Sequence, residues 1–266
     1  MNGKRTLLLT NDDGYTYFGI RLLFDVLSEE YNVVVVAPDR ERSGVGHAFT
    51  FNAPLHYEKM ESDPMRGYMV TGTPADCVKF AVSYLLPQRP DVVVAGLNMG
   101  ENSGLSAFYS GTVAAAREGA FWNIPSFAFS LCKASEESAR EYANMIPGII
   151  RRVMSSENRT LPEDAKVFYN INFPPCQVSE VKGTVVTWQS MAFFDDSYER
   201  VEVESHHSGE GFMIYGEKKD IEVSDAYDSR ALMNNHITIT PLSFDATAHS
   251  AIPHLRWLED EDFTKR

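Results

Sequence analysis

Four short, unbroken apolar runs set the pattern of the first half of the chain: Leu7-Leu8-Leu9, Val33 to Val36, Val92-Val93-Val94 and Phe127-Ala128-Phe129. A strand that is apolar at every position must be covered on both faces, as a parallel strand is inside a sheet flanked by helices. The segments between the runs keep a helical period. Ile20, Leu23, Phe24 and Leu27 share one face, and Val78, Ala81, Val82 and Leu85 share another. Thr73-Pro74-Ala75-Asp76 reads as a helix start, with Thr as N-cap, Pro at the first helical position and an acid at the third. A helix-rich stretch from about Glu136 to Met154 comes after the fourth run. This alternation predicts an α/β fold, a doubly wound and mostly parallel sheet with helices on both faces.

After Leu161-Pro162 the texture changes. Val167 to Phe173, Thr184 to Trp188, Val201 to Glu204 and Ile237 to Thr240 alternate apolar and polar residues between Gly- and Asp-rich breaks. These read as antiparallel strands and hairpins. The expectation is one domain over residues 1–266, with an α/β core over 1–160 that carries the active site and a strand-rich extension over 161–266. The extension has too few helices to cover those strands within one subunit, so it is expected to serve oligomerisation. Glu259-Asp260-Glu261-Asp262 reads as a solvated, frayed tail.

The 266 residues carry 24 Lys+Arg against 37 Asp+Glu, a net charge of −13. Long-range repulsion of polyanions argues against a partner that is duplex nucleic acid or a membrane surface. A small anion remains a fitting substrate, provided that a cation or oriented backbone N–H groups grip it locally. Cys77, Cys132 and Cys176 are odd in number and form no C-x-x-C pair, which suits reduced thiols in a cytoplasmic protein. The apolar run at Leu7 is cut short by Thr10-Asn11-Asp12-Asp13, so a signal peptide is not expected. No apolar stretch approaches the roughly 20 residues of a membrane span. Without secretion the sequon Asn158-Arg159-Thr160 carries no meaning.

The loops that leave the strands are more telling. The first strand runs into Asn11-Asp12-Asp13-Gly14, the second into Pro38-Asp39-Arg40-Glu41-Arg42-Ser43-Gly44, and the third into Gly96-Leu97-Asn98-Met99-Gly100-Glu101-Asn102. In a parallel sheet these loops share one rim, where ligands bind at the point at which strand order reverses. Asp-Asp-Gly is also a common turn sequence. Here it directly ends a buried strand, and two carboxylates held together raise one pKa unless a cation neutralises them. The Asn98 carboxamide and the Ser43 hydroxyl are candidate partners, and an all-oxygen set selects Mg²⁺ or Mn²⁺ over Zn²⁺. Ser110-Gly111-Thr112, before an Ala-rich run, is a helix N-terminus. It serves either as an ordinary cap or as a phosphate cradle, and its place a loop away from Asn98 favours the cradle.

Other signatures are missing. The chain has no Walker-type loop, no complete dinucleotide fingerprint at Gly44-Val45-Gly46, and no G-x-S-x-G elbow. His206-His207 reads as a surface pair, while His47 either reaches the site or packs elsewhere.

Thr10 to Gly14, Ala37-Pro38 with Ser43-Gly44, Gly72 to Val78, Gly96 to Asn102, Tyr109 to Gly119, Thr238 to Leu242 and Asp245 to Ala248 together resemble the stationary-phase survival protein SurE family, over nearly the whole chain. The resemblance implies a Rossmann-like core and a divalent-metal-dependent phosphatase acting on nucleoside 5′- and 3′-monophosphates, with polyphosphate hydrolysis in some members. A homodimer or homotetramer that exchanges C-terminal elements is implied too. The family's metal ligands fall on Asp12, Asp13, Ser43 and Asn98, and its phosphate-contacting loop on Ser110-Gly111-Thr112 with Asn102 nearby. Two departures stand out: Tyr17-Phe18-Gly19 in place of the usual Ala-Pro-Gly, and Thr187-Trp188-Gln189 where Thr-Arg is common.

The expected reaction is metal-assisted phosphomonoester hydrolysis, with one divalent ion per subunit and Asp12 and Asp13 at its centre. The nucleophile is a water or one of the aspartates, and a fully ligated carboxylate favours the water. Phe108 or Tyr109 either stacks on a nucleobase or packs in the core. Two rivals stay open: a non-catalytic nucleotide sensor, and a metal-dependent glycosyl- or nucleotidyl-transferase of doubly wound fold.

Overall fold

The structure, a computed structural model, describes residues 3–133, 135–155, 166–201, 210–261 and 263. The first strands are β1 (Thr6–Thr10), β2 (Asn32–Pro38), β3 (Tyr57–Lys59), β4 (Tyr68–Val70), β5 (Val92–Asn98) and β6 (Ser126–Leu131). They join β7 (Val167–Phe173), β8 (Thr184–Val186) and β11 (Ile237–Ser243) in one sheet of order β3-β4-β2-β1-β5-β6-β7-β11-β8. The strands β2-β1-β5-β6-β7 run parallel throughout. After β1 the chain moves to β2 on one side and later returns to β5 on the other, so strand order reverses between β1 and β5.

Unbroken apolar strands divide their side chains between two cores. Leu7, Leu9, Val92 and Val94 face Ile20, Leu23 and Leu27 of α1 (Phe18–Leu27), Tyr142 of α5 (Glu136–Ala143), and Ile146 and Ile150 of α6 (Ile146–Met154). Leu8 and Val93 point the other way, against Cys77 and Val78 of α2 (Pro74–Phe80) and Ala115 of α4 (Gly111–Phe121). The α2 start is the foreseen capping box: Thr73 accepts from the Asp76 N–H and Asp76 accepts from the Thr73 N–H. Beyond α2 the helix widens into a π-type turn over Ala81–Leu85, which keeps Ala81 and Val82 buried. The stretch from Glu136 to Met154 splits at Asn144–Met145, because Pro147 starts a new helix and cannot continue the old one.

The second half departs from a purely antiparallel extension. β7 lies parallel to β6 and antiparallel to β11, and β8 lies parallel to β11. β9 (Phe193–Val201) and β10 (Gly211–Lys219) form a separate antiparallel ribbon. The expected strand at Val201 to Glu204 is met only by its first residue, and the rest lies outside the described residues, as do His206-His207, the sequon and Leu161-Pro162. Short helices α3 (Ser106–Tyr109), α7 (Asp228–Met233) and α8 (Ile252–Leu255) complete the described chain. Glu259 falls in a 3₁₀ turn, Arg256–Asp260, where a frayed tail was expected, and Asp262 is outside the described residues. No helix among the described residues is long and apolar enough to cross a membrane.

Gly19 fixes how α1 meets the sheet. A Cβ built there would overlap the carbonyl oxygen of Leu97, at the end of β5. Gly19→Ala should therefore lower stability by about 1–3 kcal/mol through overpacking, even though Ala is the better helix former. Thermal melts of the two proteins measure this. An unchanged midpoint would show that α1 has room to stand off from β5.

Candidate active site

The β1 loop places Asp12 at the reversal point, 4% exposed. Its two oxygens are taken up by the N-terminus of α4: Oδ1 accepts from the Thr112 hydroxyl at 2.5 Å and Oδ2 from the Thr112 N–H at 3.1 Å. Gly111 makes that approach possible, since a Cβ there would stand 2.8 Å from Asp12 Cβ and 3.0 Å from Pro74 Cγ. Burial pushes the Asp12 carboxyl above its ordinary value, against the pull of the Thr112 and Gly111 donors. A helix N-terminus is where a buried carboxylate is best tolerated.

Asp13 has no such support. Its Oδ2 is buried without a hydrogen-bond partner among the described residues. Burial first, then the Asp12 and Glu41 charges, push its carboxyl up to about 7. Tyr17, one of the departures from the family pattern, sits beside this acidic pocket, and burial with the Asp13 and Glu41 charges raises its hydroxyl.

The other two loops reach the same rim. Arg42 N–H donates to the Asp12 carbonyl at 2.7 Å, which ties the β2 loop to the β1 loop. Ser43 is exposed and donates its hydroxyl to Glu41 Oε1 at 2.8 Å, so its oxygen lone pairs stay available. Asn98 ends β5, and its Nδ2 donates to the Gly100 carbonyl at 2.6 Å. Its Oδ1 is left as an uncommitted acceptor among the described residues.

The four phosphate candidates divide in what they hold. Thr112 spends both donors on Asp12. Ser110 is the α4 N-cap, its Oγ accepting from Val113 N–H at 3.1 Å while its own proton has no acceptor among the described residues. Asn102 is pinned from beneath: its N–H donates to Asn172 Oδ1 at 2.7 Å, its Nδ2 to Ser130 Oγ at 2.8 Å, and its carbonyl accepts from Asn170 Nδ2 at 2.7 Å. Phe108 and Tyr109 are exposed, at 57% and 69%, and neither packs in the core.

Sequence reasoning missed what holds this rim in place. Glu118 of α4 is buried and binds His47 Nε2, Lys79 Nζ and Trp122 Nε1 at 3.0, 2.8 and 3.0 Å. Those bonds, more than offsetting burial, hold its carboxyl below the usual value. His47 thereby packs, stacked on Phe121, against α4. Asp228 of α7 takes the Gly104 N–H at 3.1 Å and the Ser190 N–H at 2.9 Å. A lone acid at a helix start, far along the chain, gave no signal of that reach.

No group of three or more His, Cys, Asp or Glu gathers as a metal cage among the described residues. The rim instead offers two carboxylates with neutral oxygens around them, and the orphaned Asp13 Oδ2 fits a hard cation. A doubly wound sheet with paired carboxylates at its reversal point, beside a helix N-terminus, defines a class of α/β proteins built for metal-assisted phosphoryl chemistry. The sequence profile described as "Survival protein SurE" matches residues 7–196. The chain belongs to the SurE family.

Among its relatives is 5′-nucleotidase SurE of Flavobacterium psychrophilum, 36% identical over 254 residues, covering 95% of this chain and 96% of the relative. The 5′-nucleotidase SurE of Aquifex aeolicus is 37% identical over 257 residues, covering 96% and 98%. The crystal structure of the SurE protein from Aquifex aeolicus superposes with a TM-score of 0.79 at 36% identity, covering 96% of this chain and all of that one.

Asp13 offers a test without any substrate. In the unfolded chain its carboxyl loses its proton near 3.8, whereas in the metal-free fold it holds the proton up to about 7. The folded state thus binds more protons across that window, and metal-free stability falls as pH rises through it. Asp13→Asn removes the penalty. Its metal-free melting temperature should exceed wild type at pH 8 and match it at pH 4 or below. A variant no more stable than wild type at pH 8 would mean that Asp13 already has a partner.

Proposed function

We propose that Asp12, Asp13, Ser43 and Asn98 hold one divalent ion per subunit, Mg²⁺ or Mn²⁺, and that Ser110-Gly111-Thr112 with Asn102 receives the phosphate of a nucleoside monophosphate. The chain is a metal-dependent 5′-nucleotidase, a phosphoric monoester hydrolase, and its family and the names of its relatives carry that class. The observation that carries the ion site is Asp13 Oδ2, buried and unpartnered beside a second carboxylate. A bound divalent ion supplies Lewis-acid polarisation of a phosphoryl oxygen and offsets the charge of the transferring group.

The side chains around that ion have separate tasks. Asp12, with both oxygens engaged by Thr112, is held as a fixed ligand and is poorly placed to attack, which favours a water as nucleophile. Thr112 acts through Asp12, and the free Ser110 proton is the donor that faces an incoming phosphate oxygen. Phe108 and Tyr109, exposed just before Ser110, offer rings for a base to stack on. Recognition centred on phosphate admits 3′-monophosphates and short polyphosphate as well. The sensor and transferase readings are not favoured by the relatives' names.

Three further features belong to the same reading. Three unpaired cysteines suit a cytoplasmic location. Exposed Trp188, Phe194, Tyr198, Phe212 and Ile214, all in the second half, support a homodimer or homotetramer. Sedimentation should accordingly show a dimer or larger at micromolar concentration, and a fully active monomer would contradict it.

Phosphate release from a panel of 5′- and 3′-monophosphates, with Mg²⁺ or Mn²⁺ and then with excess EDTA, tests the reaction. Activity should require the ion and vanish on chelation. Asp12→Asn and Asp13→Asn should each lower turnover by at least about 100-fold, the scale of losing a key electrostatic element. Unchanged release from metal-stripped protein, or near-wild-type turnover in both variants, would place the chemistry elsewhere.

A further inference from the structure

The loop after β5 carries both Asn98 and Asn102, and it is held from two sides. Beneath it, Asn102 is locked to Ser130, Asn170 and Asn172 of β6 and β7. From the other side comes Lys218, near the end of β10 and paired across the ribbon with Phe194. Its ammonium donates to Glu101 Oε1, to the Ser103 carbonyl at 3.1 Å and to Ser103 Oγ at 2.8 Å. Three acceptors meet three donors, so the ammonium is saturated. Glu101 Oε2 in turn accepts from the Ser103 N–H at 2.7 Å and the Ser103 hydroxyl at 2.6 Å. Both charged side chains are largely buried, 16% exposed for Lys218 and 11% for Glu101.

The surroundings make this contact unusual. Along the rest of the ribbon the side chains are mostly exposed, Phe193, Tyr198, Phe212, Met213, Ile214 and Tyr215 among them. Lys219, the next residue, is exposed and pairs with Glu217 on its own strand. Lys218 alone of the β10 residues has a described hydrogen bond to the β5 loop. Its loss would leave a mostly buried carboxylate uncompensated within one residue of Asn102, where an anion is expected to bind.

We infer that Lys218 is a positioning residue for phosphate recognition: it locks the Asn98–Asn102 loop through Ser103 and neutralises Glu101 beside the phosphate site. The inference rests on the reading of Asn102 as a phosphate residue given above. It makes the ribbon part of the active-site architecture, because its base fixes the loop that receives substrate.

Two measurements on the full-length protein test it: amide hydrogen exchange at Ser103 without ligand, and calorimetric titration with inorganic phosphate in Mg²⁺. Lys218→Met should speed exchange at Ser103 at least tenfold and weaken phosphate binding at least tenfold. Adding Glu101→Gln to Lys218→Met should recover at least threefold of the phosphate affinity, since it removes the stranded charge, a recovery that a merely structural role would not give. Lys219→Met should match wild type in both measurements. Wild-type exchange or wild-type phosphate affinity in Lys218→Met overturns the inference, and so does a double variant that recovers nothing. Should Lys218→Met exchange faster throughout the chain, Glu101→Gln alone decides: it should speed exchange at Ser103 at least tenfold with the rest of the chain unchanged, and wild-type exchange at Ser103 overturns the inference. A wild-type protein that binds no phosphate refutes the reading of Asn102, and the exchange comparison then decides on Lys218 by itself.

Discussion

A carboxylate seated on a helix N-terminus organises this protein. Asp12 faces the first turn of α4 closely enough that residue 111 can carry no side chain, and Thr112 commits its hydroxyl and N–H to the two carboxylate oxygens. That contact fixes the end of β1 against α4, and the Arg42 N–H on the Asp12 carbonyl brings the β2 loop to the same point. The partial positive charge of the helix end offsets part of the cost of burying a carboxylate in an already acidic protein. One carboxylate is supported in this way and its neighbour is not. The asymmetry between Asp12 and Asp13 is what leaves the site short of positive charge.

The rim is also built from far along the chain. Gly104 donates its N–H to Asp228 and its carbonyl accepts from Gln189 Nε2 at 2.8 Å, while the Leu105 N–H donates to the Ala192 carbonyl at 2.9 Å. Segments after β7 therefore clamp the loop that links β5 to α4. The sheet itself continues through β7, β11 and β8 beyond the point at which the sequence changes texture. The change in apolar pattern does not end the sheet, because the alternating residues of β7 are buried on both of its faces.

Much of this architecture is legible in the sequence because it depends on local rules. Leu7 to Leu9 and Val92 to Val94 are apolar at every position, so both of their faces had to be covered. Thr73-Pro74-Ala75-Asp76 carries its own capping chemistry. The rim loops could be brought together from sequence, because parallel strands put their C-terminal ends on one edge. The pairing partners of β7 could not be read this way. Its alternation of apolar and polar residues suggests a half-exposed antiparallel strand, but the polar positions Asn170 and Asn172 are buried and point at Asn102. A buried polar residue looks like a surface residue in a hydropathy pattern. Lys218 and Asp228 were hidden for a related reason, since a charge gives no sign of a partner more than a hundred residues away.

The two departures from the family pattern leave Asp12, Asp13, Ser43 and Asn98 in place. Trp188 is 73% exposed, and its backbone ties in its neighbours, its N–H donating to the Ala226 carbonyl and its carbonyl accepting from the Asp228 N–H. An arginine there would have put a cation on this face where the chain has an indole. Tyr17 lies instead at the acidic pocket, where the Asp13 and Glu41 charges already reach its hydroxyl. The ring at that rim leaves unaltered every oxygen that would hold the ion. On the function proposed above, selection among nucleotides would fall to the rim aromatics, Tyr17, Phe108 and Tyr109, while the buried carboxylates and the α4 N-terminus would set the chemistry common to them all.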